Sequence, residues 1–411
     1  MSRLISVCLL FVMATLPVAG QQAAIRAKGI IESTETGFRF PDGTVQSTAA
    51  TVTGGVPSVN GITGEVAIAG TGATSVSTSI GLIQIHTPVT PPVYTRTVIV
   101  SPYPGNDLTS GTRLIDALEA ASSGSLKAAT LIKVEPGRYD IGTAQLVMKP
   151  YVDIEGSGEG LTRIVTRRGG AATDAASAGI TAASNSELRE LNVQTIASSG
   201  TVTMSIAAVD VTAFRVRDVT LHASGASNVI AIRTSGSEVG MDRVNVTASG
   251  GADTSIALYT LNSTVAIANS TLLGDGAGTG AEARAIHHGS GAVSVRGSTL
   301  LARGATTEIE VLYVNSGTGI VHHSTLEATD AATRRGVSTG SSGNAKLYHS
   351  LVTVGNEWVA SGVRAAFRNM FSGPITFYAS FVDSHSTTDF SPACIGSFWT
   401  SGTLQANCTK P

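Results

Sequence analysis

The stretch Ala292-Val293-Ser294-Val295-Arg296-Gly297-Ser298-Thr299-Leu300 decides the fold. Its first half alternates aliphatic with polar residues, the two-residue period of a strand with one buried face. Its second half returns almost unchanged as Asn269-Ser270-Thr271-Leu272 and as His323-Ser324-Thr325-Leu326. Working outward, an aliphatic anchor recurs at Leu188, Val216, Met241, Ile267, Val295, Val321 and Leu347, in steps of 28, 25, 26, 28, 26 and 26 residues. A second anchor precedes it by about nine residues at Ile232, Leu258, Ile286, Leu312 and Val337, with steps of 26, 28, 26 and 25. Two columns on the same beat mark a repeat array.

Gly, Ser, Asn and Asp separate the alternating runs, and no repeat carries an apolar 3.6-residue period with helix caps. Strands that follow one another without helices can lie parallel only if the chain coils, each turn resting on the last at the ~4.8 Å strand spacing. The sequence therefore predicts an all-β fold, a right-handed parallel β-helix or solenoid of roughly 26 residues per coil. Composition agrees. Charged residues are 14% of the 411-residue chain and there are 46 glycines, which suits tight turns and a large aliphatic interior. A net charge of −2 gives no reason to expect nucleic acid or an anionic membrane as partner.

In chain order, residues 1–20 read as a secretory signal. Arg3 is the positive start, 4–16 the apolar run, and Val18-Ala19-Gly20 the small-residue cleavage site. No later run reaches the ~18 apolar residues of a membrane span, so the mature chain is expected outside the cell or at its surface. Export leaves Cys394 and Cys408, most simply a disulfide closing a 15-residue loop in the tail at 386–411. Such a link is worth ~3 kcal/mol by loop entropy; two free thiols are the alternative.

Residues 21–95 have a different texture. Gly37-Phe38-Arg39-Phe40-Pro41-Asp42-Gly43-Thr44-Val45-Gln46 and Val59-Asn60-Gly61-Ile62-Thr63 are short strands with hairpin turn residues. They resemble shaft segments of phage tail fibres and bacterial surface proteins. That resemblance implies a homotrimer formed through this region, against the alternative of a stalk without a core. Pro88, Pro91 and Pro92 mark a linker.

The solenoid is expected over 96–385. It opens with the strand Thr97-Val98-Ile99-Val100 and a short capping helix over 112–121, where Leu114, Ile115 and Leu118 keep helical spacing after a threonine cap. Terminal coils must hide their unpaired edges, which such a helix does. Thr130-Leu131-Ile132-Lys133-Val134-Glu135-Pro136-Gly137-Arg138-Tyr139, then Tyr151-Val152-Asp153-Ile154-Glu155-Gly156-Ser157-Gly158 and Thr162-Arg163-Ile164 follow. This run resembles the opening of the pectin lyase-like superfamily, and specifically an uncharacterised secreted bacterial branch of it. The resemblance covers roughly 96–385 and implies the β-helix, not an activity.

The superfamily's enzyme motifs are missing. Pectin methylesterases share only Gly137-Arg138-Tyr139; their Gln-Asp-Thr and Asp-Phe-Ile-Phe-Gly segments are absent. So are the Asn-Thr-Asp, paired-Asp and Gly-His-Gly segments of polygalacturonases and the Trp-x-Asp-His of pectate lyases. No nucleophile elbow, P-loop or zinc-ligand run occurs, so neither cofactor nor metal is expected. Steps of 25–28 residues leave little room for the long turns from which clefts are built.

Two columns could nonetheless carry chemistry. Two residues after each anchor stand Glu190, Asp218, Arg243, Asn269, Gly297, His323 and His349. His323 and His349 with His322 suggest a metal, but a bend needing a left-handed residue explains the whole column. The residue after each second anchor should point outward: Arg233, Tyr259, His287, Tyr313, Ser338 and Arg364. Aromatic, basic and hydroxyl groups stacked along one sheet suit a glycan, whose C–H faces pack on rings; solvated strand decoration is the plain alternative. Glu308 and Glu310 would make a paired-carboxylate site or lie on a solvated turn, and Asp330, Arg334 and Arg335 read as surface charges. The leading expectation is a secreted or cell-surface β-helix that binds an extracellular polysaccharide without catalysis through Arg233, Tyr259, His287 and Tyr313. The alternative is a lyase or glycoside hydrolase for acidic polysaccharides using Arg233, His287 or the Glu308/Glu310 pair.

Overall fold

The computed structural model describes residues 94–276, 282–331 and 333–354, and elsewhere a set of short strands. Two units are distinguished, Met1–Val89 and Thr90–Pro411. In the first, Glu32–Thr34 pairs antiparallel with Gly37–Arg39, which pairs with Val45–Gln46. Ser58–Val59 pairs with Ile62–Thr63 across the Asn-Gly dipeptide, and Ser75–Ser79 with Leu82–His86. Antiparallel pairing is what the turn chemistry predicts. The signal segment and Cys408 lie outside the described residues, as does the side chain of Cys394.

The second unit is a right-handed parallel β-helix of about eight turns. Each turn feeds three sheets, and the predicted columns are hydrogen-bonded registers. In the first sheet Leu188, Val216, Met241, Ile267, Val295, Val321 and Leu347 are successive partners, none more than 3% exposed. The column continues back through Ile154 and Ile132. In the second sheet Val193, Leu221, Val246, Leu272, Leu300, Leu326 and Val352 stack likewise. The third stacks Ile206, Ile232, Leu258, Ile286, Leu312 and Val337. Each fully buried Val, Leu or Ile contributes roughly 1.5–3 kcal/mol, so every turn adds several such increments to one interior.

Between first and second sheets the chain turns on one residue. Glu190, Asp218, Arg243, Asn269, Gly297, His323 and His349 have φ between 47° and 57°, the left-handed region that only some side chains tolerate. The serine that follows stitches coil to coil. Ser270, Ser298, Ser324 and Ser350 each accept a backbone N–H from the coil below, at 3.0–3.3 Å. Each also donates to the carbonyl two residues back in its own coil, at 2.6–2.9 Å. A side chain that fills both roles satisfies buried backbone groups the bend would leave unpaired.

The capping helix starts earlier than expected. α1 spans Asp107–Ala120 and its N-cap is Asn106, whose side chain accepts from the Thr109 N–H at 3.0 Å. Thr112 is interior and donates to the Leu108 carbonyl. Asn is as good a cap as threonine, and Asp107 in the first turn favours the helix dipole. Leu114 and Leu118 close the interior. Gly111 is obligatory, because a Cβ there would lie 2.0 Å from the Asp140 carbonyl oxygen.

Candidate functional site

The outer face of the third sheet brings together the four residues read as a binding column. Arg233, Tyr259, His287 and Tyr313 are consecutive register partners on strands Asn228–Ser235, Thr254–Leu261, Glu282–His288 and Glu308–His322. All four are half-buried. Ser338 continues the column but is fully buried, so it offers no surface. Arg364 is out of line, pairing with Arg334, and the position above Ser338 is Arg368. The error comes from carrying a constant step into a longer turn.

Strand alternation breaks here. The consecutive pairs Ala231/Ile232, Ala257/Leu258, Ala285/Ile286 and Val311/Leu312 all belong to the interior. Outward residues therefore stand three apart, and a second outer column, Ile230, Ile256, Arg284, Glu310 and Arg335, runs beside the first. Its lower part is apolar. Met204, Ala207, Ile230 and Ile256 form a cluster separate from the interior, with Tyr259 packed on it.

Its upper part is an ion-pair ladder. Arg284 meets Glu282 at 2.9 Å and Glu310 at 2.7 Å. Arg335 meets Glu310 at 3.3 Å and also contacts Glu308. Glu310 is 2% exposed and Arg334 1%. Glu310 is thus no solvated turn residue, and Arg334 and Arg335 are not surface charges, whereas Asp330 is exposed. Both carboxylate oxygens of Glu310 are engaged by guanidiniums, Oε2 by Arg284 and Oε1 by Arg335. Such long-range pairings carry no signal in sequence spacing.

The rings of the first column interlock. Tyr259 and His287 lie 4.7 Å apart at 65°, and His287 and Tyr313 4.9 Å apart at 88°, the edge-to-face geometry aromatic rings favour. Arg284 stands 5.3 Å over the Tyr313 ring and 3.4 Å from His287 Nδ1. Burial, followed by repulsion from Arg284 and His288, pushes the His287 pKa down to about 3. Burial also raises that of Tyr313, with Glu310 adding to the effect. His287 and Tyr313 are therefore uncharged at neutral pH, and the buried Nε of Arg233 has no hydrogen-bond partner among the described residues. Neutral imidazole and phenol groups both donate and accept, as sugar hydroxyls require.

The histidine column is a bend. His323 and His349 stack at 5.0 Å and 9°, and among the described residues no group of three His, Cys, Asp or Glu is placed to hold a metal. No described helix is long and apolar enough to cross a membrane.

A further feature escaped the sequence reading. A depression of about 350 Å³ lies away from the tyrosines on the outer face of the first sheet, lined by Arg215, Arg217, Gly240, Asp242, Ala266 and Arg296 among others. Small residues at outward positions are the signal that could have found it.

No protein-family model matches the chain, and no curated protein matches it in sequence. Solved structures do resemble it. ORF18 of Geobacillus virus E2 superposes with a TM-score of 0.50 at 8% identity over 74% of this chain, which spans 62% of that protein. The Dettilon tailspike protein gives 0.43 at 8% identity, over 74% of this chain and 66% of the tailspike. Pectin methylesterase PemA from Erwinia chrysanthemi gives 0.37 at 10%, over 76% and 91%. At such identities the likeness is one of fold alone, a parallel β-helix.

Proposed function

We propose that this is a secreted β-helix protein that binds an extracellular or cell-surface glycan, without cleaving it, along the third sheet. The observation that carries the reading is the Tyr259–His287–Tyr313 column, three interlocked rings on adjacent coils above Arg233. Rings offer flat apolar faces to sugar C–H groups, the neutral His287 exchanges hydrogen bonds with hydroxyls, and Arg233 has donors to spare. The apolar strip of Ile230 and Ile256 beside the rings widens the contact. Glu308 and Glu310 hold the strands together by neutralising Arg284 and Arg335.

The leader at 1–20 supports export. The hairpin region at 21–95 would gather three chains, which sedimentation velocity on the mature protein tests directly. In the tail Cys394 and Cys408 would form a disulfide, to be read as a two-dalton mass difference on reduction.

Retention of the mature protein on immobilised glycans tests the central reading. Tyr259→Ala/Tyr313→Ala should weaken retention at least tenfold, as expected for losing two stacked rings; unchanged retention would remove the proposed face. Incubation with uronic-acid polysaccharides should leave no new unsaturated or reducing ends. Their appearance would replace this reading with a lyase or hydrolase in which Arg233 or His287 acts.

A further inference from the structure

The depression on the first sheet has a structure of its own. Successive coils place Arg215, Gly240, Ala266 and Ser294 in one outward column, and Arg217, Asp242, Ala268 and Arg296 in the next. Arginines therefore stand at both ends, and between them lie two coils whose outward residues are Gly240, Asp242, Ala266 and Ala268. Three coil steps span about 14 Å at the ~4.8 Å strand spacing, a length that suits a short oligosaccharide lying along the rod.

Charge within the trough is unequal. Glu187 is engaged by Arg189 at 2.6 Å and Arg217 at 3.2 Å. Asp242 is engaged by Arg243 and by the Asn269 amide at 3.0 Å. These acids are neutralised locally, whereas Arg215 and Arg296 form no ion pair among the described residues, and both are exposed. Beyond Arg296 the second column continues to His322 and Tyr348, whose rings stack at 4.5 Å and 11°. A flat double ring follows the cationic end in the direction a bound chain would extend.

We infer that this trough is a second carbohydrate site, distinct from the tyrosine column, that takes an acidic oligosaccharide with carboxylates at Arg215 and Arg296. Guanidinium forks match carboxylates bidentately, the small floor admits a sugar ring, and the His322/Tyr348 pair receives the next residue of a longer chain.

Gly240 gives the decisive variant. A Cβ added there meets only the Arg215 Cγ at 3.8 Å, so Gly240→Leu fills the trough without disturbing the strand. The test uses the mature full chain carrying Tyr259→Ala/Tyr313→Ala, which silences the other face, and calorimetric titration with trisaccharides. The probes are trigalacturonate, trimannuronate, a glucuronate-containing trisaccharide and neutral maltotriose. At least one acidic probe should bind saturably and maltotriose should not. Arg215→Ala and Arg296→Ala should each weaken binding about tenfold, as for loss of a charge-assisted hydrogen bond, and Gly240→Leu should abolish it with an unchanged melting curve. A hexasaccharide of the same acid should bind more tightly than the trisaccharide, and Tyr348→Ala should remove that gain. Absence of binding by every acidic probe, equal binding of maltotriose, or indifference to Gly240→Leu would overturn the assignment. None of these outcomes bears on the tyrosine face, which is already disabled.

Discussion

His287 shows what a single half-buried imidazole does to the pH behaviour of the rod. In the unfolded chain it titrates near 6.5, while in the fold burial and the neighbouring Arg284 and His288 hold it neutral down to about 3. Between those values the unfolded chain carries a proton the folded one lacks, so stability rises with pH across this window. It is complete above about 6.5 and is lost progressively toward 3, at ~1.4 kcal/mol per pH unit for one such group. Burial lowers His222 and His288 in the same sense, so both add to the slope in the same direction. Urea midpoints at pH 7, 6 and 5 should show His287→Phe flattening the slope by about one proton's worth; an unchanged slope would place the titration elsewhere. His323 makes a second residue-scale case, with φ at 47°. His323→Gly should be close to neutral, and His323→Val should cost ~1–2 kcal/mol, because a β-branched side chain clashes in the left-handed region. Equal costs would mean that the His323/His349 stack, not backbone conformation, fixes the residue.

At the scale of the element, the bend and its serine behave as one device. Removing the Ser298 hydroxyl leaves the Ser270 N–H without its acceptor, and an unpaired buried donor costs ~1–3 kcal/mol. Ser298→Ala should therefore lower stability by that amount in denaturant titration, while Thr299→Ala, at a half-buried outward position, should stay within about 0.5 kcal/mol. If the two cost the same, the ladder is not what holds neighbouring coils. The bend was legible because few residues accept positive φ, so Asp218, Asn269, Gly297, His323 and His349 betray it by type, although Glu190 and Arg243 share the conformation. The serine was not, since a small polar residue after a turn has many explanations and only its partner one coil away gives it a role. Asn106 was missed as the helix cap because a threonine nearer the apolar run fits the same reading; the Asn106–Thr109 contact decides. Glu308, Glu310, Arg334 and Arg335 were misread for a related reason: a charge looks solvated until the strand 25 or so residues away supplies its counter-ion.

At the scale of the molecule, a period near 26 residues sets both what could be read and how the rod should fail. Anchors such as Leu188, Val216 and Met241 were visible because every turn must place an apolar residue at the same level of one interior, and register then follows without further information. The first-sheet trough was hidden because it arises from side chains that are missing, Gly240, Ala266 and Ala268, between arginines three coils apart. The same stacking makes each coil answerable chiefly to its two neighbours. Ile267→Ala removes a side chain from the middle of the anchor column and should cost ~2–5 kcal/mol. Hydrogen exchange should then locate the loss. Protection should fall first in Glu238–Ser249, Ser263–Ala268 and Gly291–Arg296, the strands that carry Met241, Ile267 and Val295. Ala129–Val134 and Val152–Glu155 lie several coils away beneath the helix cap and should keep theirs under conditions where the centre opens. Uniform loss from end to end would mean that the rod melts as one cooperative body, and the nearest-neighbour account of its stability would be wrong.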